Sequence, residues 1–103
     1  LLLTVQENGD TTGVPALCLI EAYQQIPESV QAKLMELVGD DDGLAILLPV
    51  LAADVAAIAY LALQLTQPPA HAVTETRKHH AMLGTYHRKI YADTLAAEDI
   101  LDL

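Results

Sequence analysis

A chain of 103 residues has the length of one domain, because one hydrophobic core fits at this size and two do not. Its formal net charge of −9 argues against general binding to nucleic-acid backbones, which requires an excess of lysine and arginine. The hydrophobic fraction of 52% and the mean hydropathy of +0.30 are high for so small a protein. We therefore expect part of its apolar surface to face a partner.

The first third of the chain contains an arm and two predicted helices. Residues 1–13 end in a cluster of turn-forming residues and predict a flexible or extended N-terminal arm, followed by a single helical domain over residues 14–103. Residues 14–26 carry apolar side chains at spacings of three and four, which predicts a first helix. A proline ends it, and residues 28–38 predict a second, amphipathic helix closed by Gly39.

The middle of the chain is dominated by a long apolar segment. Residues 40–42 are three aspartates, which predict a cap because a helix N-terminus favours negative charge. Residues 43–65 then predict a central Ala/Leu-rich helix, buried on most sides and kinked at Pro49. Asp54 and the lack of flanking basic residues argue against a membrane span. Because a short chain cannot bury such a helix alone, we expect a homodimer or higher oligomer.

The last third predicts one long helix. It follows Pro68 and Pro69 and covers residues 70–92, with a coiled-coil-like stripe whose spacing alternates between three and four. The stripe consists of Val73, Thr76, His80, Leu83, His87 and Ile90. The predicted fold class is therefore all-α, a small bundle of about four helices completed by oligomerisation.

Positive charge is concentrated in this last segment. Four of the five basic residues and all four histidines fall between positions 71 and 89. The simplest interpretation is a basic helix face that neutralises the acidic remainder through ion pairs. The alternative is a face that binds an acidic protein partner, a phosphate or a carboxylate ligand, more strongly at lower pH. The candidate contact residues on this face are Arg77, Lys78, His80, His87 and Arg88.

One row of this segment has the residue types of a metal site. His71, Glu75 and His79 recur at four-residue spacing, so they share one side of a helix and permit chelation by neighbouring pairs. Three ligands spread over two turns do not close readily on one ion, and the compact His-Glu-x-x-His arrangement is absent. We therefore interpret Glu75 and His79 as a surface pair and predict neither a metal nor a cofactor.

A short motif in the same segment resembles a known family. Residues 80–84, His-Ala-Met-Leu-Gly, resemble the phosphorylatable-histidine helix of histidine phosphotransfer domains, in which a glycine follows the histidine by one turn. The resemblance implies that His80 accepts a phosphoryl group and that Gly84 leaves room beside it. It covers five residues and departs from the family at Leu83, where a lysine is usual.

The residues of common hydrolytic and transferase sites are missing. The sequence has one serine, no Gly-x-Ser-x-Gly motif, and a single cysteine, Cys18, inside an apolar run that suits a buried side chain. We therefore do not predict an enzyme. No basic region precedes the first apolar residues, so we expect no signal peptide and a cytoplasmic setting.

The leading functional hypothesis is a helical protein-interaction or oligomerisation module. We expect it to self-associate through residues 50–65, where alanines at four-residue spacing allow a second helix to approach closely. The candidate contact residues there are Ala53, Ala57 and Tyr60. Because the chain begins with leucine, we expect it to be a regulatory or scaffold domain of a larger protein. The alternative is a histidine-centred phosphotransfer, ligand-sensing or metal-sensing domain.

Overall fold

The computed structural model describes residues 4–7, 11–39 and 46–103, and it shows a mixed α/β domain. The all-α prediction is therefore wrong. The strands are β1 (Thr4–Glu7), β2 (Thr11–Pro15), β3 (Ile46–Leu48), β4 (Met82–Thr85) and β5 (Ile100–Asp102). The helices are α1 (Ala16–Gln25), α2 (Glu28–Gly39), α3 (Val55–Leu61), α4 (Gln67–Lys78) and α5 (Arg88–Tyr91).

The five strands form one sheet in the order β3-β2-β1-β4-β5. Strand β1 is antiparallel to both of its neighbours, whereas β2 with β3 and β4 with β5 are parallel pairs. Parallel strands require a crossover, which α1 and α2 supply for the first pair and α5 for the second. The four strands other than β1 thus run in one direction, and their carboxyl ends lie at the same edge.

The predicted N-terminal arm is part of this sheet wherever the structure describes it. Val5 in β1 pairs with Gly13 on one side and with Leu83 on the other, so β1 lies in the middle of the sheet. Strands β1 and β2 both contain threonine and valine, whose branched side chains suit a pleated surface. The described residues of the arm are extended strands that pair inside the sheet. The turn formers at 8–10 are outside the described residues.

The first two predicted helices are confirmed. Helix α1 ends at Gln25, two residues before Pro27, and α2 begins at Glu28 and ends at Gly39. Proline at the break and glycine at the end are local signals, which is why the sequence reveals these boundaries. The aspartates at 40–42, predicted as a cap, lie outside the described residues.

The predicted central helix over residues 43–65 is wrong. Its described part, from residue 46, contains strand β3, a turn of 3-10 helix at Ala52–Asp54 and the short helix α3. Pro49 explains the first break, because a proline disfavours helical geometry in the residue before it, here Leu48. Only Ile58 and Leu61 of α3 are buried.

The helix at the centre of the domain is α4 instead. It contacts α1 and α3 and also strands β1, β2 and β4, and every residue from 70 to 76 is buried. Pro68 and Pro69 lie in its first turn, where the missing N–H groups cost nothing, so they begin a helix rather than end one. The core around α4 includes Ala72, Val73 and Leu83.

The predicted long helix over residues 70–92 is also wrong, because α4 ends at Lys78. The chain reverses at His80, which has a left-handed φ of 51°, and then enters β4. The N–H of Ala81 donates to the carbonyl of Thr76, and the N–H of His80 donates to that of Arg77, which together form a Schellman motif. No helix in the described parts of the chain is long and apolar enough to cross a bilayer.

Candidate functional site

The segment predicted as the buried centre presents an apolar surface to solvent. Tyr60 is 73% exposed and Leu63 is 82% exposed, and Ala53 and Ala57 are exposed as well. The other exposed members of this surface, which we call the α3 face, are Val50, Leu51, Ala52, Val55, Ala56 and Ala59. Positions three and four apart adjoin on a helix, so the exposed residues Val55, Ala56, Ala59 and Tyr60 of α3 form one continuous stripe, and Leu63 follows just beyond the end of the helix. The three candidate contact residues of this segment all belong to the α3 face.

The only charged residue within this segment is already paired. The Nζ of Lys78 lies 2.6 Å from Oδ2 of Asp54, so the α4 lysine neutralises the 3-10 turn next to α3. This hydrogen bond to Asp54 raises the pKa of Lys78, which keeps the ammonium charged at neutral pH. The α3 face is therefore apolar and without net charge.

The basic residues do not form the single helix face that the sequence predicts. Arg77 and Lys78 lie on α4, His80 follows that helix, and His87 and Arg88 lie after β4. The guanidinium of Arg77 donates to the carbonyl of Thr94. The scattered positions leave no continuous basic stripe among these five residues.

Arg88 is the most extensively bonded of these basic side chains. Its Nε donates to the carboxylate of Asp102 at 3.0 and 3.2 Å, and its terminal nitrogens donate to the carbonyls of Ala97 and Ile100. These bonds join the start of α5 to strand β5. The ion pairs of Lys78 and Arg88 agree with the interpretation that the basic residues neutralise acidic ones within the chain.

The His71, Glu75 and His79 row is brought together, but around a buried carboxylate. His71 is 0% exposed, and its Nε2 lies 3.2 Å from Oε1 of Glu75. The other oxygen of Glu75 lies 3.0 Å from Nε2 of His79, and Lys78 donates to Oε1 at 3.2 Å. The expected surface pair of Glu75 with His79 forms, but Glu75 is only 1% exposed. Among the described residues, no group of three metal-ligating side chains is arranged to hold an ion.

The geometry that the phosphotransfer resemblance implies is not present. His80 lies beyond the end of α4, and Gly84 lies in strand β4, so the two residues do not share a helix. Gly84 is consequently not one helical turn from the imidazole. His80 is exposed, but what surrounds it is a helix terminus and not the continuous helix face of a phosphotransfer domain.

Comparison with known proteins gives no relative for this chain. No protein-family model, no curated protein and no solved structure matches it.

Proposed function

We propose that this chain is a protein-interaction module that self-associates through the α3 face, as a regulatory or scaffold part of a larger assembly. The observation that supports it most is that the apolar segment around α3 is largely exposed and the polar helix α4 is largely buried, which is the reverse of what hydropathy predicts. Residues 70–76 of the polar helix α4 are buried, whereas apolar side chains of the α3 face such as Tyr60 and Leu63 face solvent. Contiguous exposed apolar surface on a small domain is typical of an interaction site.

The absence of unpaired charge on the α3 face favours a second copy of the chain as the occupant. Two copies with a net charge of −9 each repel one another over most of their surfaces. At the α3 face this repulsion is smallest, because Asp54 is neutralised by Lys78. An apolar face is complementary to itself, as a two-fold dimer interface requires.

The shape of the face supports the same occupant. Ala53 and Ala57 are exposed and carry only methyl groups, so the backbone of a partner helix can approach closely. Tyr60 and Leu63 lie beside these small residues and supply area to bury. Burying apolar area at about 25 cal/mol per Å² is the driving force for the association.

A cytoplasmic setting is part of the proposal. The single cysteine, Cys18, is buried, and its thiol donates to the carbonyl of Pro68 at 3.2 Å, so the fold accommodates it as a thiol. A domain that contains no disulfide of its own is compatible with a compartment that keeps thiols reduced.

Light scattering over a range of protein concentrations tests self-association. The wild type is expected to show a mass that rises with concentration to that of a dimer, and the double variant Tyr60→Ser with Leu63→Ser is expected to remain a monomer. Tyr86→Ser is the matched control, because Tyr86 is 56% exposed and lies outside the α3 face. A wild type that stays monomeric overturns the proposal, and so does a double variant that associates as well as the control.

A second substitution tests the seam of small residues directly. Ala57→Leu adds bulk at a position that is exposed in the monomer, so it is expected to leave the fold intact and weaken the dimer.

Addition of lipid vesicles to the same samples tests whether the α3 face binds a membrane surface instead of a second copy of the chain. Binding to vesicles that is lost in the Tyr60→Ser, Leu63→Ser variant, with no dimer in their absence, would replace the second copy by a membrane surface.

A further inference from the structure

A pocket of about 280 Å³ lies at the sheet edge that carries the carboxyl end of β4. Thr85, the last residue of that strand, and His87 line one part of it, and Glu21 from α1 lines another. The remaining lining residues are Gln25, Pro69, Ile90 and Tyr91. The carboxyl edge of strands that run in one direction is where ligands commonly bind in sheets covered by helices.

Tyr91 is the least expected member of this lining. The residue as a whole is only 1% exposed, and its hydroxyl makes no hydrogen bond to any described residue. Because no fully buried polar side-chain atom among the described residues lacks a partner, the small exposed remainder of Tyr91 includes this hydroxyl. Buried tyrosine hydroxyls usually have a partner. Burial, the nearby Cys18 thiol and the charge of Glu21 raise the pKa of Tyr91, so its hydroxyl remains protonated and available. The pocket therefore contains a polar group whose hydrogen bonding is incomplete.

A second group in the pocket has unused hydrogen-bonding capacity. The Glu21 carboxylate has no ion pair or hydrogen bond with the described residues, although it is half-buried. Thr85 is 0% exposed, and its hydroxyl oxygen accepts a bond from the N–H of His87 at 2.9 Å, so it fixes the end of β4 and is closed to a ligand. Of the Glu21 carboxylate and the Tyr91 hydroxyl, only the carboxylate carries charge at neutral pH.

We propose that this pocket binds a small primary alkylammonium ion, with Glu21 as its counter-ion and the hydroxyl oxygen of Tyr91 as a further acceptor. An ammonium group has three N–H donors, so it can bond both acceptors and still donate to water. Ile90 and Pro69 supply an apolar wall for the alkyl chain. The net charge of −9 raises the local concentration of cations around the whole chain.

Titration with n-butylammonium, followed by two-dimensional NMR of backbone amides, tests the proposal. The wild type is expected to show saturable shifts at Thr85, His87 and Ile90. Glu21→Gln keeps the size of the side chain and removes its charge, so it is expected to weaken binding at least tenfold. Tyr91→Phe removes only a hydroxyl and is expected to weaken binding several-fold.

Matched controls separate specific binding from general attraction of cations. Glu36→Gln removes an exposed carboxylate on α2, outside the pocket, and is expected to bind as the wild type does. n-Butanol has the same alkyl chain without the charge and is expected not to bind. Equal binding to the Glu21→Gln and Glu36→Gln variants overturns the proposal, as do saturable binding of n-butanol and the absence of saturation in the wild type. If Tyr91→Phe fails to fold, the comparison of Glu21→Gln with Glu36→Gln still tests the proposal, because Glu21 is half-exposed and its substitution is expected to leave the fold intact.

Discussion

The Nδ1 atom of His71 accepts a hydrogen bond from the backbone N–H of Leu17 at 3.3 Å, which joins the centre of α4 to the first turn of α1. Because a backbone N–H can only donate, Nδ1 is the unprotonated ring nitrogen and Nε2 carries the hydrogen. That hydrogen points to the buried carboxylate of Glu75, 3.2 Å away. The imidazole is therefore neutral, and both of its nitrogens are used.

Removal of this imidazole is expected to destabilise the domain strongly. His71→Ala leaves the Leu17 N–H without its partner, leaves Oε1 of Glu75 with Lys78 alone, and opens a cavity, and together these are expected to cost about 3 kcal/mol. Urea unfolding followed by circular dichroism measures the loss. His79→Ala is the matched control, because this partly exposed imidazole contacts the same carboxylate, and it is expected to cost less. Equal costs for the two variants would contradict the argument.

The left-handed residue after α4 offers a way to stabilise the domain. His80 has φ of 51°, where a side chain beyond Cα is unfavourable and glycine is preferred. His80→Gly is expected to raise the free energy of unfolding by about 1 kcal/mol, since it removes the unfavourable contact between Cβ and the backbone in this left-handed conformation. His80→Ala retains Cβ and serves as the control, with little gain expected. If both variants have the same thermal unfolding temperature, backbone strain is not the cause.

The buried thiol of Cys18 predicts a loss of stability at alkaline pH. Burial, and secondarily the charge of Glu21, raise the pKa of this thiol from 9.0 to about 12. Between these values the unfolded chain releases the proton while the folded chain retains it, so the free energy of unfolding falls as pH rises. The slope is about 1.4 kcal/mol per pH unit above pH 9. Below pH 9 the contribution is fully present.

Comparison with Cys18→Ala isolates this contribution, because Tyr91 also has a raised pKa and contributes in the same direction above pH 10. The difference in unfolding free energy between wild type and variant, measured at pH 8 and pH 10, is expected to shrink at the higher value. A difference that stays constant between these two pH values would show that the thiol ionises equally in both states.

Lys78 supports a buried charge, and its removal is expected to cost more than removal of its other partner, Asp54. Lys78→Gln deprives the buried Glu75 carboxylate of its ammonium neighbour and is expected to cost about 2 kcal/mol. Asp54→Asn breaks only the pair with Lys78, whose side chain is 33% exposed, and is expected to cost about 1 kcal/mol. Chemical denaturation of both variants checks the order. A larger loss for Asp54→Asn would show that the Asp54 pair, and not the Glu75 pair, contributes most of the stability.

Local signals account for the part of the fold that the sequence predicts correctly. The boundary between α1 and α2 is marked by Pro27, and the end of α2 by Gly39, and both residues act on their own turn of backbone. The strands are different. Leu83 belongs to the predicted helical stripe and Met82 to the same predicted helix, and only the pairing of β4 with β1 and β5, which come from the two ends of the chain, makes them a strand.

Hydropathy predicts that residues 43–65 are more deeply buried than α4, and the structure shows the reverse for the described residues. The buried threonines of α4 satisfy their hydrogen bonds within the helix, as Thr74 does with the carbonyl of Ala70 at 2.9 Å and Thr76 with that of Ala72 at 2.8 Å. Burial therefore costs them little. No described helix or strand covers the exposed apolar residues of α3. A hydropathy scale assigns one transfer energy to each residue type, so it cannot show which residues the fold leaves uncovered.

The candidate site was predicted in part. Ala53, Ala57 and Tyr60 lie on one exposed face, but their role in association remains a prediction. Val55 and Leu63 were missed as individual contacts, although their spacing from Ala59 could have identified them. The ammonium pocket was not predictable, because Glu21, Thr85 and Tyr91 come from three elements that only the folded chain brings together.

The antiparallel strand β1 also determines the order in which the domain can assemble. β1 with β2, β2 with β3 and β4 with β5 each pair stretches that follow one another along the chain, whereas the pairing of residues 4–7 with Met82–Thr85 spans most of the sequence. Such distant pairing is slow, because a long loop must close before the strand contacts form. The β1-β2-β3 and β4-β5 parts of the sheet can thus form independently, and the pairing of β1 with β4 that joins them completes folding.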